Sequence, residues 1–409
     1  SFESATANAS IALSFKTDTA YTATTIKDCT FTNLSRGVDV GGTATNASHK
    51  RIRVLDCYFT NCTYGIYQTY GQYNVYSRNV FEMSAAQRAV LFNGGSYNQI
   101  TNNSITGGTT GIIFLYARNV AGTNVLFHNV IAQNTITGVT EESISLDLTG
   151  NTAAAVGCFD RDTVGAKAIN GSNVDVTCAA AAFSTSGNVF TGYYILMRTG
   201  LLAGQAFRVA THLNGNLNVE MNTTEAYPLL TVADEFILCA PFVGNVITGN
   251  TILSAGTFAI LLYGVCAGNV VANNSVAGAS IAIWSLSSVI ASTINVTGRT
   301  GRAPSENNVV SFNAVRGGSI AFTFNDFGAD AYSATVGNEL SHNRVLNGKF
   351  PLANPLAQTP PVYLSGNGSP ENVVVAPIGS LYTRQDGSTS TTLYVKTATG
   401  TTSAGWTAK

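Results

Sequence analysis

In a 409-residue chain with only 11% charged residues, acids that cluster are conspicuous. "TEESISLD" holds three of them, Glu141, Glu142 and Asp147. Two carboxyl groups about 5 to 9.5 Å apart can cut a glycosidic bond, one as proton donor and the other as base or nucleophile. A lyase instead needs a base beside a uronic carboxylate and a positive or hydrogen-bonding group to hold that carboxylate. The residues alone leave both chemistries open. Ile144 and Leu146 alternate with Ser143, Ser145 and Asp147, so Asp147 belongs to the face opposite the aliphatic one. Parity puts Glu141 on that outer face and Glu142 at the corner before it. Six extended residues span about 20 Å, so Glu141 and Asp147 cannot flank the same bond. Each needs a partner from another segment, or serves as a solvated corner or a cap.

Such partners depend on a repeat. The phrase Asn, four residues, Asn, one residue, then Val, Ile or Phe recurs at "NVYSRNVF" (74), "NQITNNSI" (98), "NVIAQNTI" (129), "NVITGNTI" (245), "NVVANNSV" (269), "NVVSFNAV" (308) and "NELSHNRV" (338). Cys29 and Cys57 take the second Asn position in two degenerate copies. The second Asn recurs at intervals of 24, 31, 116, 24, 39 and 30. Periods of 20 to 30 residues rich in Val, Ile, Thr and Phe predict a solenoid of short strands. The interval of 39 is expected to hide one more turn, with Thr293 at the Asn position. A second strand in each unit sends Val38, Ile66, Val90, Ile112, Ile144, Ile260, Ile283 and Phe322 to one side. The implied fold is all-β, a right-handed parallel β-helix. Its turns are stacked about 4.8 Å apart. Asparagine at the same corner of each turn can form a ladder, and it tolerates the left-handed backbone of a corner. The Asn-X-Ser/Thr matches are by-products of that pattern and are not read as glycosylation sites.

Register then supplies neighbours. Asp147 is expected over Leu115 and under Tyr263, with Tyr116 close by. Gln87 and Arg88 are expected in the turn beneath Glu141 and Glu142, making Arg88 a candidate substrate-binding partner. Glu82 lies in that same turn. The outward column should run Asp39, Tyr67, Leu91, Ile113, Ser145, Leu261, Trp284 and Thr323. Its aromatic members, Trp284 among them, suit sugar stacking, and its apolar middle equally suits a subunit contact.

Two segments depart from the repeat. Residues 148–243 read as a small β-domain inserted between the coil segments 1–147 and 244–350, with Asn214-Gly215 marking a hairpin. Its "FDRD" places Asp160, Arg161 and Asp162 where they could fold back over Asp147, so both aspartates are alternative acids. Asp326 and Asp330 in "FNDFGADAY" form a second alternative cluster. Residues 351–373 read as a linker, since five of nine prolines fall between 351 and 371. Residues 374–409 read as a β module too small to bury its own core, expected to assemble with copies of itself about a symmetry axis. Arg384 and Asp386 in "TRQDG" read as turn chemistry at a hairpin.

Other classes are disfavoured. A net charge of −1 gives no electrostatic case for nucleic acid or an anionic membrane. No apolar run reaches the roughly 18 residues of a membrane span. The seven cysteines match no zinc or redox spacing and read as buried free thiols. The four histidines lie far apart in sequence, so neither a metal nor another cofactor is expected. The opening "SFESATANAS" does not look like a signal peptide and reads as the middle of a longer chain.

The asparagine-laddered coil followed by "GSPE", "APIGSLYTRQDG" and "TTLYVKTATGTTSAGWTAK" resembles bacteriophage tailspike and tail-fibre proteins. The terminal phrase carries most of this resemblance; the coil pattern, over residues 22–349, is shared with secreted pectin enzymes and adhesins. The resemblance implies a homotrimer in the phage tail that acts at the host cell surface. It implies cleavage of a bacterial surface polysaccharide: capsule, exopolysaccharide or O-antigen. It also implies a virion-binding N-terminal region, which is not visible in this sequence, for attachment to the tail or baseplate. Fold alone does not set activity. A non-catalytic glycan-binding spike or adhesin, and a polysaccharide lyase, remain alternatives.

Overall fold

In a computed structural model, the described residues are 1–4, 10–15, 23–41, 49–69, 71–115, 126–147, 158–179, 193–197, 199–203, 205–213, 215–239, 242–263, 266–285, 305, 307–324, 338–346, 363–398 and 402–409. One turn of the repeat runs Val75–Ser77, Val80–Met83, Arg88–Phe92 and Gly95–Ser96. Each of these strands pairs in parallel with its counterparts in neighbouring turns. The result is stacks of nine, ten, nine and four strands respectively, a parallel β-helix.

The coil interior is made of columns. Phe2, Phe31, Phe59 and Phe81 stack face to face at 5.1, 4.7 and 4.8 Å, spacings imposed by the rise between turns. Each such pair adds about 0.5–1.5 kcal/mol beyond simple burial. A second column, Val38, Ile66, Val90, Ile112, Ile144 and Ile260, is in register throughout and fully buried.

Both asparagines of the repeat form ladders. In the second, Asn79, Asn103, Asn134, Asn250, Asn274 and Asn313 each donate the backbone N–H to the next asparagine's Oδ1 at 2.9–3.0 Å. Their amide nitrogens donate to the same oxygens. The first ladder repeats this from Asn98 to Asn338. Cys57 continues the second ladder downward through its backbone, donating to Asn79 Oδ1 at 3.0 Å. The left-handed corner residue is not the ladder asparagine, contrary to expectation. It is the residue before it: Arg78, Asn102, Gln133, Asn273, Phe312 and His342 have φ of 54–58°. A ladder residue must aim its amide along the coil axis, so its predecessor makes the bend. In the Asn102-Asn103 doublet the two asparagines therefore differ in role.

Two expectations of register fail. The interval of 39 is a single turn, because Val270–Ala272 pairs directly with Val309–Ser311 and Asn274 with Asn313; Thr293 lies outside the described residues. In Phe258–Tyr263 an irregularity falls between Phe258 and Ile260. It shifts the register by one residue, and the next turn stands two residues from the expected pairing: Ile260 meets Ile281, Leu261 meets Ala282, and Tyr263 meets Trp284.

After Asp147 the chain leaves the coil and returns at Phe242–Val243, a strand of the coil's four-stranded stack. Between them lies a closed six-stranded barrel, which includes the hairpin of Ala206–Leu213 and Asn216–Glu220. It has its own core of Val164, Val176, Ile195, Leu217 and Phe236. The barrel packs on the coil through Tyr194, whose ring meets that of Phe127 edge-on at 4.4 Å. The terminal sheet includes Tyr363–Gly366, paired in parallel with Leu381–Arg384, so it reaches back into the proline-rich segment read as linker. Leu364, Ala376, Tyr382, Tyr394 and Trp406 form its core. Arg384 Nε donates to Asp386 Oδ1 at 2.8 Å, fastening the turn.

Candidate active site

The acidic strand lies in the middle of the coil, immediately before the barrel. Asp147 stands between Leu115 below and Tyr263 above, as register predicts. Burial raises the Tyr263 phenol above its usual range, and the Asp147 charge adds to that rise. The same charge reaches Cys266, whose buried thiol is pushed well above the ordinary range, mainly by desolvation.

Glu142 is half-buried at the corner where the chain enters this strand. Its Oε1 accepts a hydrogen bond from Thr257 Oγ1 at 2.9 Å, one turn above. Its carboxyl is held above the usual range. Loss of water is the largest cause and the charges of Glu141 and Asp147 add to it, while the Thr257 bond opposes the rise. Glu141 is exposed, and its backbone is tied to the turns on either side. Its N–H donates to Thr109 O at 2.9 Å. Its carbonyl accepts from Gly256 and Thr257.

Arg88 is further away than expected. The turn directly beneath Glu141 carries Thr109 and Thr110, and Arg88 pairs with Thr110, so it lies two turns below. Arg88 Nε is buried and finds no acceptor among the described residues. Asp162 is buried in the barrel, 4% exposed, where its charge adds to the raised thiol of Cys178. The side chains of Asp160 and Trp284, and residues Tyr116, Asp326 and Asp330, lie outside what is described. Trp284 nonetheless changes column: its backbone neighbour is Tyr263 and not Leu261, which brings its position next to the Asp147 column.

The apolar middle of the outward column is covered within the single chain. Leu91, Ile113 and Leu261 are 3–4% exposed within the single chain, so neither a sugar nor a second subunit reaches them there. Sequence reasoning gave no role to Glu82. It stands on the neighbouring stack in line with Thr60 below and Thr106 above and accepts a hydrogen bond from the Tyr58 hydroxyl. The signal was register: a lone acid in a column of threonines. Among the described residues no three His, Cys, Asp or Glu side chains group as a metal set. Cys29, Cys57, Cys62, Cys178 and Cys266 are free thiols.

With its turns stacked in parallel, the chain has the right-handed parallel β-helix fold. A family model described as "Right handed beta helix region" matches residues 6–153. Among solved structures, the alginate lyase from Paenibacillus sp. str. FPU-7 is similar at 11% identity and a TM-score of 0.29, over 82% of this chain and 90% of that one. The AlgE6 A-module, a mannuronan C-5 epimerase of Azotobacter vinelandii, is similar at 11% and 0.31, over 85% and 80%. The catalytic domain of a GH87 alpha-1,3-glucanase in complex with nigerose gives 12% and 0.25, over 86% and 59%. At these values no residue role or substrate carries over. No curated protein matches the chain in sequence.

Proposed function

We propose that the protein is a phage tailspike depolymerase that cleaves a bacterial surface polysaccharide by carboxylate acid–base chemistry. The observation that carries this reading is Glu142. A carboxyl desolvated at a coil corner, raised further by two neighbouring acids and anchored by Thr257, has what a general acid needs. It holds its proton at a pH where an ordinary carboxylate has lost it. Asp147, a strand-length away beside Tyr263, lies beyond the spacing at which two carboxyl groups flank one bond; it adds charge to Glu142, and the second acid comes from an adjacent turn or from the inserted segment. The rigid coil keeps Glu142 at a constant height, as proton transfer requires. Glu141, exposed and tied through its backbone, contributes charge to Glu142 and no direct chemistry.

Trimerisation through the terminal module and attachment to a phage tail belong to the same proposal. The terminal sheet leaves Tyr363 84% and Val373 75% exposed, apolar surface that copies of the chain would cover. A spike that grips glycan without cutting it is the second reading. Purified protein spotted on a lawn of the host separates them: clearing, with release of oligosaccharides, supports the depolymerase. Coating of cells without release supports the binding spike and overturns the depolymerase. Absorbance of an unsaturated uronate in the product would assign a lyase.

A further inference from the structure

A groove of about 570 Å3 runs along the corner where the strands following the second asparagine end. Thr32, Thr60, Glu82 and Thr106 line it and are stacked in register in successive turns. An outward oxygen therefore recurs about every 4.8 Å along the coil axis, a rise close to the length of one sugar ring. The rim is a built polar network. Asn61 Nδ2 donates to Asn33 Oδ1 at 2.7 Å, and Asn61 Oδ1 accepts from Ser84 Oγ at 2.7 Å and Gln87 Nε2 at 2.9 Å. Met83 supplies an apolar patch in the wall. Gly107, with φ of 73°, has no room for a side chain, since a Cβ there would lie 2.3 Å from Met83 O.

We propose that this groove is a binding track for an uncharged stretch of glycan laid parallel to the coil axis. The volume suits a few sugar rings. Threonine hydroxyls and asparagine amides both donate and accept, as sugar hydroxyls do. Glu82 accepts from hydroxyl pairs and strengthens those bonds through its charge. The lining holds one carboxylate and no lysine or arginine, so a uronate, sulfate or phosphate would meet a like charge with no counter-ion. The same corner continues upward, through Thr106 paired with Thr137, to the turn that enters Glu141 and Glu142. A chain held in the groove is thereby aimed at the candidate acid. This inference rests on the reading of the protein as glycan-active and adds its substrate class.

The test uses the full chain carrying Glu142→Gln, so that bound glycan is not cut, on an array of neutral and acidic bacterial oligosaccharides. Neutral glycans are expected to bind. Adding Glu82→Leu should weaken them about tenfold or more, and Thr60→Val should weaken them less, both with unchanged circular dichroism and melting. A preference for acidic glycans, or neutral binding untouched by both groove variants, overturns the groove and leaves the depolymerase reading standing. Failure to bind any glycan, together with no cleavage by the unaltered chain, overturns both.

Discussion

Asn102 and Asn103 are neighbours of the same type, and the structure predicts opposite consequences for removing them. Asn103 accepts the buried Asn79 N–H at 3.0 Å and donates to Tyr76 O at 3.0 Å. Asn103→Ala leaves both backbone groups without that partner, inside a wall where water does not reach. The Asn79 amide still bonds Val54 O, and Asn134 Oδ1 still receives the residue-103 backbone N–H, so the loss is confined to two groups. At roughly 1–3 kcal/mol for each buried group left unpaired, the cost is about 2–6 kcal/mol. Asn102 is exposed and only makes the bend, with φ of 57°. Asn102→Gly relieves left-handed strain and loses unfolded-state restriction, two small effects that offset each other to within about 1 kcal/mol. The chain has a coil, a barrel and a terminal sheet, so one global unfolding free energy is a poor readout. Amide hydrogen exchange at Asn79 is a local one. Its protection should fall by at least about tenfold in Asn103→Ala and stay within a few fold in Asn102→Gly. Equal loss in both variants, or full protection of Asn79 in Asn103→Ala, would refute the ladder as the source of stability.

Glu142→Gln should be more stable than the unaltered chain near neutral pH. A carboxyl whose folded pKa is raised stabilises below its ordinary range and loses that contribution as pH rises through the raised value. The melting difference should therefore shrink between about pH 7 and pH 4, and a difference independent of pH would contradict a buried carboxyl. Thr257→Val removes the hydrogen bond that opposes the rise, so the alkaline limb of the pH–activity profile should move to higher pH; a move to lower pH would count against Glu142 as donor. In thiol labelling of the native chain, Cys29, which is half-buried, should react ahead of Cys57, whose buried thiol is pushed up to about 11; mass spectrometry showing Cys57 labelled first would contradict its place in the coil wall.

The coil was legible because its signal is chemical and periodic. An asparagine between aliphatic residues at constant internal spacing is unusual, and repetition makes it a corner. The bend itself was not legible, since Arg78, Gln133, Phe312 and His342 share no residue type; the ladder dictates their conformation from outside. The register of Phe258–Tyr263 on the next turn leaves no mark in composition, so the place of Trp284 over Tyr263 is not legible in the sequence. Arg88 lies one turn lower than expected beneath Glu142, because the turn of Thr110–Leu115 stands between them. For the site, Glu142 and Asp147 stood out through scarcity of charge. Their difference did not, because the surroundings of Glu142 include Thr257, which is 115 residues away in sequence and becomes a neighbour only when the turns stack. Glu82 is visible in the sequence but has no role there, because Thr60 and Thr106 become its neighbours only by stacking.

Proton donation by Glu142 is tested most directly by the rate of reducing-end release from purified surface polysaccharide of the host. The unaltered chain should cleave it, and Glu142→Gln should lose at least about a hundredfold in kcat, the usual contribution of a general acid, with KM little changed and the melting temperature not lowered. Full cleavage by Glu142→Gln would contradict the assignment of this carboxyl as the proton donor.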